Sequence, residues 1–185
     1  MAGQVFEFAD DDHVLQYKLA APIGSGSFGQ VWEASQWSDG RSTHRAVAVK
    51  ITEHILDTGT DKAQLRRDIE DKLRRIRSIR SDNVITYYHA RVDDAYGLLD
   101  PILQTIIVME YCTFGTLDTV IRSAPLPNDE IKDLLQQILT GVVAIHAHKI
   151  IHGDLKPANI VLAHDTSAPS TGALNSPTWT TTSPC

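Results

Sequence analysis

His152-Gly153-Asp154-Leu155-Lys156-Pro157-Ala158-Asn159 is the stretch from which the rest of this chain can be read. It sets an acid, a cation and an amide a few residues apart. The acid, Asp154, can orient a hydroxyl and take its proton. The cation, Lys156, can steady negative charge on a group in transfer, and the amide of Asn159 can hold a metal ion. A chance match to the whole string is improbable. His146, His148 and His152 also invite a metal-site reading, but the first two fall at a helix end without cysteine or carboxylate partners, which disfavours it.

Bulk properties exclude several classes. With 185 residues the chain can build one ordinary domain with a core. Hydrophobic residues make up 42% and charged residues 22%, the balance of a soluble globular protein. The formal net charge of −6 argues against nucleic acid as a partner. The basic residues Arg66, Arg67, Lys72, Arg74, Arg75, Arg77 and Arg80 alternate with acids and apolar residues, as on a solvated helix face. Two cysteines, Cys112 and Cys185, make neither a disulfide framework nor a zinc spacing. The acidic first residues lack the basic start of a signal peptide, and no apolar run approaches a membrane span. A cytosolic or nuclear setting is the expectation.

Periodicity divides the chain. Residues 1–16 read as a leader. Tyr17 to Ile23, Gln30 to Ala34, Ala46 to Ile51, Val84 to Arg91 and Gln104 to Met109 read as strands. Ser35 to Arg45 reads as a long mobile turn, and a loop is expected around Asp93 to Pro101. Leu65, Ile69, Leu73, Ile76 and Ile79 recur at helical spacing, which predicts a helix over roughly 61–79. After Gly115 the pattern turns helical. A short helix fits Thr116 to Arg122. A long one follows Pro127, with Asn128 as expected N-cap, and its apolar residues circle it as in a helix buried on most sides. Thirteen of the last 20 residues are Ser, Thr or Pro, so 164–185 is expected to be a disordered tail.

Further motifs carry chemistry. Gly24-Ser25-Gly26-Ser27-Phe28-Gly29-Gln30-Val31 fits G-x-G-x-x-G-x-V between two strands. Glycines let backbone N–H groups approach phosphate oxygens. A dinucleotide-binding turn would be followed by a helix, whereas Gln30 to Ala34 reads as a strand. A tight hairpin without a ligand is the plain alternative. Val47-Ala48-Val49-Lys50 ends an apolar strand on a lysine, which either snorkels to solvent or clamps phosphates. Glu70 on the following helix can hold that ammonium, with Asp68 and Asp71 as rivals. Val108-Met109-Glu110-Tyr111-Cys112 ends a strand and could be a hinge.

Taken in order, these elements resemble the eukaryotic protein kinases over about residues 17–162. The resemblance implies an α+β, protein-kinase-like fold: a five-stranded small lobe with one helix (17–110), then the first helices of an incomplete, mainly helical large lobe (111–163). It implies ATP and Mg2+ as cofactors and a protein substrate or binding partner, without nucleic acid or membrane. ATP would lie against Ile23, Gly24, Gly26, Gly29, Val31, Ala48, Lys50, Glu70, Met109, Glu110, Cys112 and Val161. Val31, Ala48 and Val161 would sandwich the adenine, Met109 would be the gatekeeper, and Lys50 would pair with Glu70. Asp154 would be the catalytic base, with Lys156 beside it, and Asn159 a magnesium ligand. Lys156 after Asp154-Leu155 is the serine/threonine form of this loop. The subfamily is unclear, with a loose likeness to NIMA-related kinases and to the stress kinases of translation initiation.

The sequence departs from the family pattern in two places. Gly153 stands where many such kinases carry arginine, so control through a phosphorylated activation loop is not expected. Residues 160–185 contain no Asp-Phe-Gly triplet, the source of a second metal carboxylate. The expectation is therefore a kinase by family whose catalytic domain is truncated after the loop. The alternative is a pseudokinase-like fragment that binds nucleotide or a partner without transferring phosphoryl groups.

Overall fold

The structure is a computed structural model that describes residues 1–10, 13–26, 29–96, 101–163 and 178–181. Ser27, Phe28, the centre of the expected Asp93–Pro101 loop and most of the expected tail lie outside the described residues. Two compact units are present. One comprises Met1–Arg77 with Tyr87–Tyr111, the other Ser78–Thr86 with Cys112–Cys185.

The first unit is a six-stranded antiparallel sheet with one helix. The strands are β1 (Val5–Asp10), β2 (His13–Gly26), β3 (Gly29–Ser38), β4 (Arg41–Ile55), β5 (Tyr87–Tyr96) and β6 (Pro101–Glu110), in the order β1-β2-β3-β4-β6-β5. The five expected strands are all present. The sixth, β1, comes from the residues expected to be a leader. Phe6 and Phe8 supply the reason, since both are buried in the core of this unit. Period-two alternation puts Tyr17, Leu19, Val47, Val49, Ile51, Ile106 and Val108 with them on one face.

The sheet curls until its two edges meet over that core. The Arg91 guanidinium of β5 donates to the Glu7 carbonyl of β1 and lies 4.8 Å from the Phe8 ring centroid. The Phe8 ring is 5.3 Å from His89 and 5.8 Å from Tyr17. Curling hides edge backbone groups that would otherwise stay open to pairing. Pro22, which has no N–H to give, coincides with register shifts between β2 and β3.

Residues 35–45 are not a long mobile turn. They continue β3 and β4 into a tight hairpin, with Ser38 opposite Arg41. Asp39 at φ 50° and Gly40 at φ 74° are both left-handed, as a two-residue type I′ connection requires. The Asp-Gly pair was the available signal.

Burial holds the His89 imidazole below its usual pKa. The Arg77 and Arg45 charges lower it further and Asp10 opposes them. A folded-state pKa below the unfolded one means that the unfolded chain binds the extra proton. This contribution to stability is therefore complete above about pH 6.5 and is lost as pH falls from there through the depressed folded-state value. Thermal melts between about pH 7.5 and 5.5 should show His89→Leu losing less stability on acidification than the parent chain. Equal slopes would remove His89 from the account.

Helix α1 (Lys62–Ser78) lies close to the expected bounds. Asp61 caps it, its Oδ1 accepting from Gln64 N at 3.0 Å. Leu65, Ile69 and Leu73 pack on Val92, Leu103 and Ile107 of β5 and β6, the sheet face opposite the Phe6–Tyr17 core.

In the second unit α2 (Leu117–Ser123) is capped by Thr116, whose Oγ1 accepts from Thr119 N at 3.3 Å. Helix α3 (Asn128–Ala147) starts one residue earlier than expected. Pro127, not Asn128, is its N-cap, and the Pro127 carbonyl accepts from Ile131 N at 3.0 Å. Proline suits the helix start because it has no N–H to leave orphaned.

Burial on most sides does not hold for α3 within the described residues. Leu134, Gly141 and Ile145 are buried, and Leu134 and Ile138 pack with Leu117, Ile160 and Leu162. Leu135, Leu139 and Val143 are 53%, 63% and 68% exposed. They form an i, i+4 ridge on another side of the helix, beyond the reach of α2 and the strand that follows the loop. That strand is β7 (Ile160–Ala163), and β8 (Thr178–Thr181) pairs with it antiparallel, Ile160 opposite Thr181. The expected tail is thus ordered over 178–181. Ladder pairing satisfies backbone groups and does not need apolar side chains, and Thr and Trp favour strands.

Candidate active site

Lys149 at φ 57° turns the chain out of α3, and Gly153 at φ 77° turns it again. The left-handed backbone at 153 strains any side chain there, which accounts for glycine at this position. Between the turns, Ile150 and His152 are buried while Ile151 is exposed. His152 Nδ1 accepts a 3.3 Å hydrogen bond from Asp154 N, so the buried ring braces the loop. Pro157–Asn159 then make one turn of 3-10 helix, with Asn159 N bonded to Lys156 O at 2.8 Å.

This path brings Asp154, Lys156 and Asn159 together. Lys156 Nζ stands 2.9 Å from Asp154 Oδ2. Asn159 Nδ2 donates to Asp154 Oδ2 at 2.7 Å and to the Asp154 backbone carbonyl at 2.8 Å. The Lys156 ammonium holds the Asp154 carboxyl below the usual carboxylate range; desolvation opposes it, and the Asn159 amide adds a smaller effect in the lowering direction. Asp154 is ionised at neutral pH and fixed by two donors. A carboxylate held in this way can accept a hydrogen bond from a hydroxyl and aim its oxygen.

β7 is seated by backbone bonds that no side-chain pattern announces. Leu162 N donates to Gly115 O at 3.1 Å, and Thr116 bridges Val161. Val161 thereby comes beside the segment that starts at Cys112, and both belong to the second unit.

The other expected residues lie in the first unit. Val31 sits opposite Lys50, Lys50 opposite Ile107, and Ala48 opposite Met109. Directly opposed residues share a face. Val31, Ala48, Lys50 and Met109 therefore lie on the side of the sheet that α1 covers. Ala48 and Met109 are buried. Glu110 pairs with Val47 at the end of β6, and Ile23 is exposed on β2. Glu70 on α1 meets Arg66, Oε1 to Nη1 3.7 Å. Of its rivals, Asp71 pairs with Arg74 at 2.8 Å and Asp68 accepts from Gln64 at 2.8 Å. Arg66 is the neighbour that sequence reasoning missed, although its i, i+4 spacing from Glu70 was legible.

The glycines differ in what they do. Gly26 pairs with Gly29 where β2 meets β3. Gly29 has φ 103°, and a Cβ there would overlap the Ile51 carbonyl oxygen. A Cβ at Gly26 would meet nothing within 4 Å. Gly29→Ala should cost about 2 kcal/mol or more, from left-handed strain and backbone overlap, while Gly26→Ala should stay within about 0.5 kcal/mol. Urea unfolding of both variants checks this; equal midpoints would contradict the distinction.

Comparison with known proteins agrees with this geometry. The model of the family described as protein kinase domain matches residues 17–169. The chain belongs to the protein kinase family. Among similar proteins, serine/threonine protein kinase OSK4 of Oryza sativa subsp. indica is 32% identical over 165 residues, which are 88% of this chain and 29% of that protein. Serine/threonine-protein kinase sid1 of Schizosaccharomyces pombe is 33% identical over 150 residues, 81% of this chain and 28% of that protein. The carbon catabolite-derepressing protein kinase of Saccharomyces cerevisiae is 31% identical over 154 residues, 83% of this chain and 22% of that protein. The chain thus spans less than a third of the length of these relatives, and they do not single out a subfamily.

Within this kinase domain, magnesium is the metal to test against the donors. Hard oxygen ligands suit it, and it usually keeps waters and nucleotide phosphates in its shell. Among the described residues no group of three His, Cys, Asp or Glu side chains could hold a metal by itself. Two hydrogen bonds from Nδ2 fix the orientation of the Asn159 amide, and Oδ1 is the atom that would ligate an ion. These donors would suit an ion shared with nucleotide, to which Asn159 would supply one ligand.

Proposed function

We propose that these residues are the nucleotide-binding and catalytic-loop parts of a serine/threonine protein kinase, which moves the terminal phosphoryl group of ATP to a protein hydroxyl. The observation that carries the proposal is the constellation of Asp154, Lys156 and Asn159, closed by contacts of 2.9 and 2.7 Å. Asp154 would orient the incoming hydroxyl and take its proton. Lys156 would steady the charge on the phosphoryl group. The glycine turn would cover the phosphates and Lys50 would bind them while paired with Glu70; the family resemblance assigns Val31, Ala48 and Val161 to the adenine, with Met109 as gatekeeper. Ile23 would border the base, and Glu110 and Cys112 would flank it through the hinge backbone. Magnesium, held through Asn159, would neutralise phosphate charge. Loop type and the names of the relatives support the serine/threonine class.

A nucleotide titration read by thermal shift tests the binding half. Lys50→Met should weaken the affinity read from the shift about tenfold or more, and Gly26→Ala should weaken it without moving the unliganded melting point. Transfer from radiolabelled ATP to a generic Ser/Thr protein tests the chemistry. Binding without transfer would select the nucleotide-binding alternative. Failure of a folded sample to bind nucleotide at millimolar concentration would overturn the proposal.

A further inference from the structure

We propose that Arg66 competes with Lys50 for the Glu70 carboxylate, and that Asp94 limits how far Arg66 reaches toward it. The inference rests on the nucleotide-binding reading above, in which Glu70 orders Lys50. Three observations build it. Arg66 sits one turn before Glu70 on α1, with Nη1 3.7 Å from Oε1, at the outer edge of an ion pair. The same guanidinium is drawn the other way by β5. Its Nη1 donates to Val92 O at 2.6 Å and its Nη2 to Asp94 Oδ1 at 2.7 Å. Lys62, one turn earlier on α1, places Nζ 2.9 Å from the same Asp94 oxygen. Two cations on successive turns thus clasp α1 to the end of β5 through one carboxylate. The Lys50 side of the sheet is the side that α1 covers, since Ile107, directly opposite Lys50, packs with the helix.

Shorter, charge-assisted bonds hold a guanidinium more firmly than a long contact does. Asp94 and Val92 therefore keep Arg66 extended toward β5, and Glu70 is only loosely engaged. A carboxylate engaged fully by Arg66 has less to offer an ammonium. Neutralising Asp94 removes one of the two anchors and lets Arg66 close on Glu70. Removing the Arg66 charge leaves Glu70 to Lys50. Both residues act through Glu70, so they are positioning residues.

The two single substitutions must move nucleotide affinity in opposite directions. Arg66→Gln should tighten binding of a fluorescent ATP analogue about two- to threefold, and Asp94→Asn should weaken it by a similar factor, the scale of an i, i+4 ion pair. Each effect should vanish in a Glu70→Gln background. A purely structural clasp predicts the same direction for both, since each loses the same tie between α1 and β5. A second readout does not need nucleotide: the rate at which an amine-reactive acyl label modifies Lys50, followed by mass spectrometry. Pairing with Glu70 engages the amine in charge-assisted hydrogen bonds and slows its reaction. Labelling should slow in Arg66→Gln and quicken in Asp94→Asn. If the parent chain binds no nucleotide, the nucleotide-binding reading fails, and labelling alone decides the competition. Labelling rates that shift together, or not at all, overturn the inference.

Discussion

For the proposed phosphoryl transfer, Asp154→Asn is expected to lower the rate by about 10²–10⁴-fold while leaving the fold in place. The substitution keeps the shape of the side chain but removes the proposed proton acceptor. It also dissolves the ion pair with Lys156 and replaces an accepting oxygen opposite the Asn159 amide. The carboxylate is part of an open loop, so the change should be small in a melt and large in a single-turnover assay with radiolabelled ATP. The pH dependence follows from the direction of its shift. Because the folded-state pKa lies below the ordinary Asp value, the ionised form persists through the neutral range and is lost only as pH falls through that depressed value. Asp154 should therefore impose no acid limb above about pH 4. Transfer that survives Asp154→Asn would show that another group accepts the proton.

Phe8→Ala should cost about 3 kcal/mol of folding stability, the usual scale for deleting a buried aromatic ring. Phe8 lies ahead of the region matched by the family model, which begins at Tyr17. A leader there could be cut without consequence. The structure instead puts the ring into the core of the curled sheet, edge-on to Tyr17 and against His89, with the Arg91 guanidinium over it. Val5, exposed on the same strand, serves as the control, and Val5→Ala should stay within about 0.5 kcal/mol. Urea unfolding measures both. A midpoint for Phe8→Ala equal to that of the parent chain would return β1 to the status of an appendage.

Local chemistry explains what could be read without coordinates. The catalytic loop spans a few residues whose side chains reach one another with little help from distant chain, so Asp154, Lys156 and Asn159 were legible as a unit. Helix α1 announced itself through Leu65, Ile69 and Leu73 because one face of a helix repeats every turn. Core strands such as Val47–Ile51 were legible through their apolar runs. The Asp39-Gly40 pair carried a signal that the reading of 35–45 as a long mobile turn passed over, since two left-handed residues are what a two-residue hairpin needs.

Other features depend on partners far away in the chain. Alternating Phe6 and Phe8 cannot reveal that β5 will curl round to meet them, because Arg91 and Glu7 become neighbours only after the whole sheet has formed. The pairing of Thr178–Thr181 with β7 is written in backbone groups that every residue carries, so composition alone suggested disorder. Pattern also overstated the burial of α3. Apolar residues all round a helix mark where it can be covered, whereas Leu135, Leu139 and Val143 show that covering requires a neighbour on that side. Glu70 falls between these cases. Its place on α1 follows from periodicity, but its contact with Arg66 depends on where Asp94 and Val92 hold that guanidinium, and only the packing of α1 against β5 decides this.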